Sequence, residues 1–464
     1  MSENVNSTSS GVESSFFYWF YPKGYRPYRF KFYDILLAFG IFLIVLIGYV
    51  MTLTPSVGAG DNGELTTTLY NMGAGHPPGY PLYGIVGKLF TFLPFGDIAY
   101  RVNFFVAFFG AGASFFLFLF TLKLLGLNRD TGKLSLFIHF PALVATFSFG
   151  FSFSHWGQSV GGEVYPMNVF LVSLMLFVMY LWCEEMIYFR MEEELHFAER
   201  KTLLLFFLMG LSITNHQLPF WYIVAFGLVL LPVVVLMVVL DRSSKFAEQF
   251  EERAWAFVIL AVLVLITGVL FVDFGFVKRM LFEKDVWEVL TAVFLIPSFL
   301  TLYTLVVKYI KPEKNWVDKF FEILTYGTWL FIFAVSIYLY LLVRAKALAP
   351  LEDPKPLSWG DTQRLDILFN HMLRKQYGVG GGKEMINKLG QLLVVLKYHY
   401  EQFHFTQIII AIIGAVYLFF RDKLWLIFSL IAMALLSGAL VLFINFELDV
   451  RTIFFQEVFF IQNF

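Results

Sequence analysis

Asp61-Asn62-Gly63-Glu64 and, a short helix later, Gly75-His76-Pro77-Pro78-Gly79-Tyr80-Pro81-Leu82-Tyr83 hold the residues best suited to chemistry. A carboxylate in such a place can accept a proton from an attacking hydroxyl. A neighbouring acid tunes it or helps to hold a cation, so metal use stays open. Asp61 at an N-cap and Glu64 three residues on also read as a capping box, which does not exclude catalysis. The Pro/Gly run is a rigid, non-helical turn, because each proline fixes φ and removes a donor. It either re-enters the membrane interface with Tyr80 and Tyr83 as belt aromatics or aims the His76 imidazole at a phosphate or sugar hydroxyl.

Other candidates fall at the ends of apolar segments. Arg101 and Asn103 stand at the outer end of the second one, where an arginine is an interfacial anchor or a bidentate grip on a lipid phosphate. Trp156, Gln158, Glu163 and Tyr165 follow in the next outside turn. Glu163 has no evident partner nearby in the sequence, so it must face a polar cavity or a partner chain. Asn215 and His216 close a short fifth segment. His155 and His216 taken singly read as hydrogen-bonded helix-end residues. Arg374 and Lys375, late in the chain, are a solvated basic face or a grip on a lipid-linked phosphate. What unites Asp61, Glu64, His76, Arg101, Glu163, Asn215 and His216 is one side of the membrane.

The elements that must position them are apolar helices. Of the 464 residues 58% are hydrophobic, 58 are Phe and only 15% are charged, with mean hydropathy +0.70. Soluble domains carry roughly 25% charged residues, so this is an all-α polytopic membrane protein. A net charge of -1 gives no basic footprint for nucleic acid. The single cysteine, Cys183, excludes an intrachain disulfide and reads as a small apolar filler. With about 20 apolar residues per crossing, about eleven spans are expected. They lie near 34–54, 104–122, 134–153, 167–188, 203–219, 220–240, 254–274, 289–307, 320–343, 405–420 and 424–445. The fifth is short, and is tilted, broken or re-entrant.

Basic residues such as Lys23, Arg29, Lys123, Arg190, Arg242, Lys308 and Arg421 collect on alternate loops, which places the N-terminus inside. The chain then divides into an N-terminal cytoplasmic tail (1–33), a transmembrane module (34–344) that includes the external loop 55–103, an external loop region (345–404) and C-terminal transmembrane segments (405–464). The first external loop is expected to hold two amphipathic helices, Glu64 to Met72 and Leu82 to Phe92. Met1 to Ser15 reads as a disordered tail without signal-peptide features, Gly378 to Gly382 as a hinge, and Thr452 to Phe464 as a span or an interfacial segment.

Asp61-x-Gly63-Glu64, the His76-Pro77-Pro78-Gly79-Tyr80-Pro81 block and Arg101-Val102-Asn103 resemble a transmembrane family long known only by a domain of unknown function. Trp156-x-Gln158, Glu163-Val164-Tyr165, Gly210-Leu211-Ser212 with Asn215-His216, and Arg374-x-Gln376-Tyr377-Gly378 are similar to further blocks of that family in the same order. The family's vertebrate member looks like a protein O-mannosyltransferase. The resemblance implies a GT-C-like fold that takes a sugar, mannose or a similar hexose, from a polyprenyl-phosphate donor. It implies catalysis by Asp61, with Glu64 second, and donor-phosphate binding by His76, Arg101, Arg374 and Lys375. Tyr80, Asn103, Trp156, Gln158, Glu163, Tyr165, Asn215 and His216 then line the substrate cavity. The acceptor would be a Ser or Thr hydroxyl of an exported protein, at the periplasmic face of a bacterial inner membrane or in the endoplasmic reticulum. Two rivals remain: a non-catalytic subunit of an envelope complex, and a secondary transporter. A transporter would need inverted repeats and mid-span ionisable residues, whereas the ionisable residues here sit mostly at span ends.

Overall fold

The computed structural model describes residues 19–21, 26–127, 134–188, 198–240, 250–272, 286–310, 315–351, 356–377, 388–444, 448–449 and 457. The Met1 to Ser15 stretch, the Gly378 to Gly382 hinge and all of the Thr452 to Phe464 segment but residue 457 lie outside these. The described residues form helices and connecting turns, with no strand among them.

Helix α1 (Phe32–Met51) leads into a loop that carries α2 (Asn62–Asn71) and α3 (Pro81–Phe90). The long α4 (Ile98–Gly126) follows, then α5 (His139–Gly150), the short α6 (Phe153–Ser159), α7 (Tyr165–Tyr188) and α8 (Glu199–Asn215). Next come α9 (Phe220–Ala225), a π turn (Phe226–Leu230), α10 (Leu231–Leu240), α11 (Ala254–Val272) and α12 (Val286–Ile310). The last are α13 (Trp316–Val335), α14 (Leu339–Leu348), α15 (Leu365–Met372), α16 (Lys388–Arg421) and α17 (Lys423–Ile444).

Four helices are long and apolar enough to cross a bilayer: Phe32–Met51, Ile98–Gly126, Tyr165–Ile187 and Trp316–Leu348. A fifth crossing is counted if Lys388–Phe403 and Phe405–Arg421, bent by 103°, act as one. Shorter apolar helices occupy Phe220–Leu236, Ala254–Ile266, Phe294–Tyr309 and Lys423–Gly438. The protein is thus an integral membrane protein of several spans, and the expected eleven are not reached among the described residues. The third expected span, 134–153, is interrupted. Its helix stops at Gly150, and after Ser152, whose backbone is extended, the separate helix α6 begins. The fifth is 17 residues long and ends where His216 turns to extended backbone, so it is short as expected.

The core of the bundle is α4, packed along α1, α5 and α7, with α8 wedged between α7 and α13. Close approach needs small residues here: a Cβ at Gly210 of α8 would sit 2.6 Å from the Phe331 carbonyl oxygen of α13. On α1, Leu36, Phe39, Leu43, Ile44 and Ile47 are exposed while Ala38, Ile41, Val45 and Tyr49 are buried. That apolar outer stripe is what lipid, not water, would cover. Cys183 is buried among apolar side chains, as its composition-level reading has it.

Buried ion pairs mark one end of the bundle. Asp34 receives the Tyr28 hydroxyl (2.9 Å) and lies 2.8 Å from His139 Nε2, and Lys123 Nζ pairs with Glu184 at 2.8 Å. Each of these charges would be costly alone and is tolerated because it is paired. The helices run from there to the opposite end, where the first loop lies.

Candidate functional site

Helix α2 begins at Asn62 because its flank is fixed by a polar knot. Asn62 Nδ2 donates to Asn103 Oδ1 (2.9 Å), and Asn103 Nδ2 donates to the carbonyls of Thr54 (2.8 Å) and Ser56 (2.9 Å). Gly162 N donates to the same Asn103 oxygen at 2.8 Å. Asn103 thereby joins the first loop, the start of α4 and the 160s turn. It is a structural tie, with all its side-chain atoms engaged.

The expected capping box does not form. Asp61 occupies the N-cap position, but its backbone is helical (φ -80°, ψ -2°), and no side-chain capping bond is made. A capping residue needs extended backbone to bring its carboxylate back over the first turn. Glu64 turns elsewhere: its Oε1 accepts from the His76 backbone nitrogen at 2.7 Å and lies 3.0 Å from His76 Nδ1. The other ring nitrogen, Nε2, lies 2.9 Å from the Tyr80 hydroxyl and 3.8 Å from Asp61 Oδ2. The Asp61 side chain is 59% exposed, that of Glu64 17%. The two acids of the motif therefore differ in kind. Glu64 is committed to holding His76, while Asp61 is presented to solvent beside the imidazole.

Burial pushes the Glu64 carboxyl up, but bonds and charge from His76, with a bond from the Trp359 side chain, outweigh it and leave it below its ordinary value. Glu163 behaves in the opposite way. Burial, reinforced by the negative charges of Asp61 and Glu64, pushes it up to about 8. Its Oε1 would lie 3.6 Å from a Cβ at Gly60, so it faces the start of this same loop.

His216 lies under the cluster. Its ring stacks on Tyr80 (centroids 5.9 Å, 15°) and tilts against Tyr165 (5.4 Å). Leu218 N donates to its Nδ1 at 3.1 Å, which puts the proton of the neutral ring on Nε2. Burial first, then the charges of Arg374 and His76, lower it to about 3. It is a neutral donor whose Nε2 is buried without a partner. Asn215 donates to the Val164 carbonyl at 3.3 Å, and its side-chain oxygen is also unpartnered. The charge of Arg374 also reaches Tyr165 and Tyr338, so the residue belongs to this neighbourhood. Its φ of 56° is a conformation that bulky residues rarely adopt.

Not every expected residue joins. The Arg101 guanidinium donates to the carbonyls of Phe95 (2.7 Å), Thr91 (2.7 Å) and Gly96 (2.9 Å), closing the turn after α3. It acts as a latch rather than as an open fork for phosphate. Trp156 donates to Thr52 Oγ1 at 2.8 Å and packs on Tyr49 and Phe151, away from His76. Gln158 has a buried side-chain oxygen without a hydrogen-bond partner. Lys375 is half-buried; burial lowers its pKa, and the charge acting on it is that of Asp366.

Of the far half of the site the sequence pointed to Arg374 but not to Tyr340, Arg344, Trp359 or His371. Tyr340 OH donates to the Met72 carbonyl (2.7 Å), and Arg344 donates to those of Met72 and Asn71 (both 2.9 Å), so α14 closes the C-terminus of α2. The Ala74 nitrogen donates to Ser358 Oγ (3.0 Å), Trp359 N donates to the Ala74 carbonyl (2.9 Å), and His371 Nε2 meets the Gly75 carbonyl at 3.1 Å. Gly79 needs its φ of 95°, and a Cβ there would lie 2.6 Å from Leu341. The signal available in the sequence was a lone Trp-Gly pair in an otherwise polar loop.

Asp61, Glu64 and His76 each offer a ligand atom, all within 4.8 Å of one another, and this is the cation-binding geometry available among the described residues. A cation there would compete with the Glu64–His76 bond.

Residues 61–234 match the family model described as "Protein O-mannosyl-transferase TMEM260 N-terminal domain". These residues are therefore similar to the N-terminal domain of that protein O-mannosyltransferase family. The mouse "Protein O-mannosyl-transferase TMEM260" is 36% identical over 137 residues, which is 29% of this chain and 18% of that protein. The Dictyostelium discoideum "Protein O-mannosyl-transferase tmem260" is 33% identical over 141 residues, 30% of this chain and 16% of that protein. The matched part thus spans less than a fifth of the length of these relatives. No solved structure matches the chain. The matched segment takes in Asp61, Glu64, His76, Glu163 and His216 and stops before Arg344, Trp359, His371 and Arg374.

Proposed function

We propose that this chain is a membrane glycosyltransferase of the GT-C kind. It moves a sugar, mannose on the strength of its relatives' names, from a polyprenyl-phosphate donor to Ser or Thr hydroxyls of proteins. The observation that carries the reading is Asp61. It is an exposed carboxylate released from the capping role its position suggests, 3.8 Å from an imidazole that Glu64 holds in place.

In this reading the acceptor hydroxyl attacks the anomeric carbon and its proton passes to Asp61. The bond from the anomeric carbon to the phosphate oxygen breaks, and the lipid phosphate departs with that electron pair. A phosphate leaves without needing a proton, so one base suffices, and positioning with charge does the rest. Arg374 is the basic side chain whose charge reaches the His216 and Tyr165 wall, and it is the better grip for that phosphate than the latched Arg101. The site lies at the bundle end opposite the Lys123–Glu184 and Asp34–His139 pairs. Positive-inside bias then favours a lumenal or external face. Both relatives are eukaryotic, so they lend no support to a bacterial inner membrane and favour the endoplasmic reticulum.

Asp61→Asn decides the matter. Purified protein in lipid, given polyprenyl-phosphate mannose and a Ser/Thr peptide, should lose about 10²-fold or more in transfer rate while folding normally. Near-normal transfer by Asp61→Asn would remove Asp61 as the base.

A further inference from the structure

Helix α16 has two parts: Lys388–Phe403 is bent by 103° from Phe405–Arg421. The residues of the first part sort into three faces. Gln391, Val395, Tyr398 and Gln402 are buried. Val395 and Tyr398 join the buried cluster that also holds Leu65, Leu69, Tyr80 and Tyr83 of the first loop. Both ends are pinned to the bundle. Lys388 Nζ donates to the Val441 carbonyl of α17 at 3.1 Å. Ser154 N of α6 donates to Gln402 Oε1 (2.9 Å), and Gln402 Nε2 donates back to Ser154 Oγ (2.8 Å). The outer face is different. Leu389, Leu392, Leu393, Leu396 and Tyr400 are all exposed, and at about 100° per residue they fall on one stripe roughly 100° wide. Lys397 and Glu401, paired at 3.3 Å, flank that stripe.

We propose that Lys388–Phe403 is an in-plane helix that binds the lipid surface on the site's side of the membrane, with its exposed stripe in the headgroup–acyl boundary. Phe405–Arg421 is apolar and, at the short end of the range, long enough to cross the bilayer alone. With that part as the span, a bend close to a right angle lays the first part along the membrane plane. The occupant of the stripe follows from continuity. Past the elbow Phe405, Ile409, Ile412, Ile413 and Val416 are exposed as well, on a segment whose surroundings are acyl chains. Five large apolar side chains on one face of a pinned helix are a patch to be covered. Lipid covers it without a partner chain, while the Lys397–Glu401 flank stays in water and Tyr400 takes the belt level of interfacial aromatics. Because the inner face shares a core with Leu65, Leu69, Tyr80 and Tyr83, the in-plane helix fixes the height of α2 and α3 above the bilayer. In the function proposed above, that height brings Asp61 to the level of a lipid-linked phosphate. This last consequence rests on the glycosyltransferase reading; the placement of the helix does not.

The test is nitroxide depth measurement on the full chain in phosphatidylcholine vesicles. Leu393→Cys, Leu396→Cys, Lys397→Cys and Ile412→Cys, each in a Cys183→Ala background, are spin-labelled one at a time. Collision with molecular oxygen, which enters the bilayer, is compared with collision with a water-soluble nickel chelate. The labels at 393 and 396 should favour oxygen and lie about 5–10 Å into the headgroup–acyl boundary. The label at 397 should favour the chelate, and that at 412 should lie deeper than the stripe. Leu389→Cys and Leu392→Cys repeat the reading on the same face, so a variant that fails to insert does not leave the question open. Stripe labels as open to the chelate as the label at 397 would overturn the proposal, because the face would then be in water. Stripe labels as deep as the one at 412 would make the first part a membrane span instead. Stripe labels shielded from both reagents would show a second protein surface on the face and overturn the lipid assignment. The measurement needs no turnover, so a chain that transfers no mannose ends the function reading and leaves the depth result to decide the helix.

Discussion

Glu64 Oε1 lies 3.0 Å from Nδ1 of His76 and 2.7 Å from the His76 main-chain nitrogen, so one carboxylate oxygen holds both the ring and the turn that carries it. The two residues are twelve apart in sequence and separated by a helix. The bond is what folds the Pro/Gly turn back over the start of α2. It also divides the work of the motif: the acid expected to cap is used as an anchor, and the acid expected at the N-cap is left exposed. Anchoring by a short, charge-assisted bond is the arrangement that fixes a ring to within a fraction of an ångström.

That bond makes stability depend on pH in a stated direction. Glu64 sits below its ordinary value of 4.5 in the folded protein, so its contribution is fully present above about that pH. It is lost as pH falls through the lowered, folded value. Glu64→Gln should melt at a lower temperature than the unaltered protein at pH 7, and the gap should close as the pH is taken well below 4.5. A gap that persists unchanged into acid would mean the loss is one of shape and not of charge.

Glu163 has the opposite sign. Its folded value of about 8 lies above the ordinary 4.5, so its contribution is fully present below 4.5 and declines as pH rises towards 8. Glu163→Gln stays neutral throughout. Its melting temperature should match that of the unaltered protein in acid and exceed it by a margin that grows up to about pH 8 and then levels. Thermal melts in one detergent at several pH values check this. A margin that is flat with pH would show Glu163 to be ionised in the fold.

Arg101 separates a phosphate grip from a latch. Its three bonds run to backbone carbonyls of the turn between α3 and α4 and hold that turn closed. Arg101→Ala should therefore cost about 1–3 kcal/mol of stability and lower kcat without a selective rise in donor KM. A protein of unchanged stability whose donor KM rises ten-fold would restore the phosphate role.

What the sequence made legible was local. The helices around Glu64 to Met72 and Leu82 to Phe92 appear within a few residues as α2 and α3, and Pro81 at the first turn of α3 is a local signal of the kind a sequence carries. The four long spans follow from hydropathy alone. The roles of Asp61 and Glu64 were not legible. Capping turns on the φ/ψ of Asp61, which is set by the Asn62–Asn103 knot formed with a residue 41 positions away. Arg344, Trp359 and His371 escaped for the same reason: their partners lie more than 250 residues off, and single long-range bonds leave no periodic trace.

Those long-range bonds also constrain topology. Ser358 and Trp359 bond to Ala74, and Arg344 bonds to Met72, so the loop after α14 must lie on the same side of the membrane as the loop after α1, whichever side that is. Positive-inside bias puts that side away from the cytoplasm. Val57 is 58% exposed in the first loop, and Asp361 is exposed in the later one. Cysteines placed by Val57→Cys or Asp361→Cys in a Cys183→Ala background should both react with an impermeant thiol reagent applied from the lumenal or external side. Neither should react when the reagent is confined to the cytoplasmic side. Labelling of both from the cytoplasmic side would invert the orientation and leave the fold intact. Labelling from opposite sides would contradict the fold itself, because no arrangement of the spans could then bring Trp359 to Ala74.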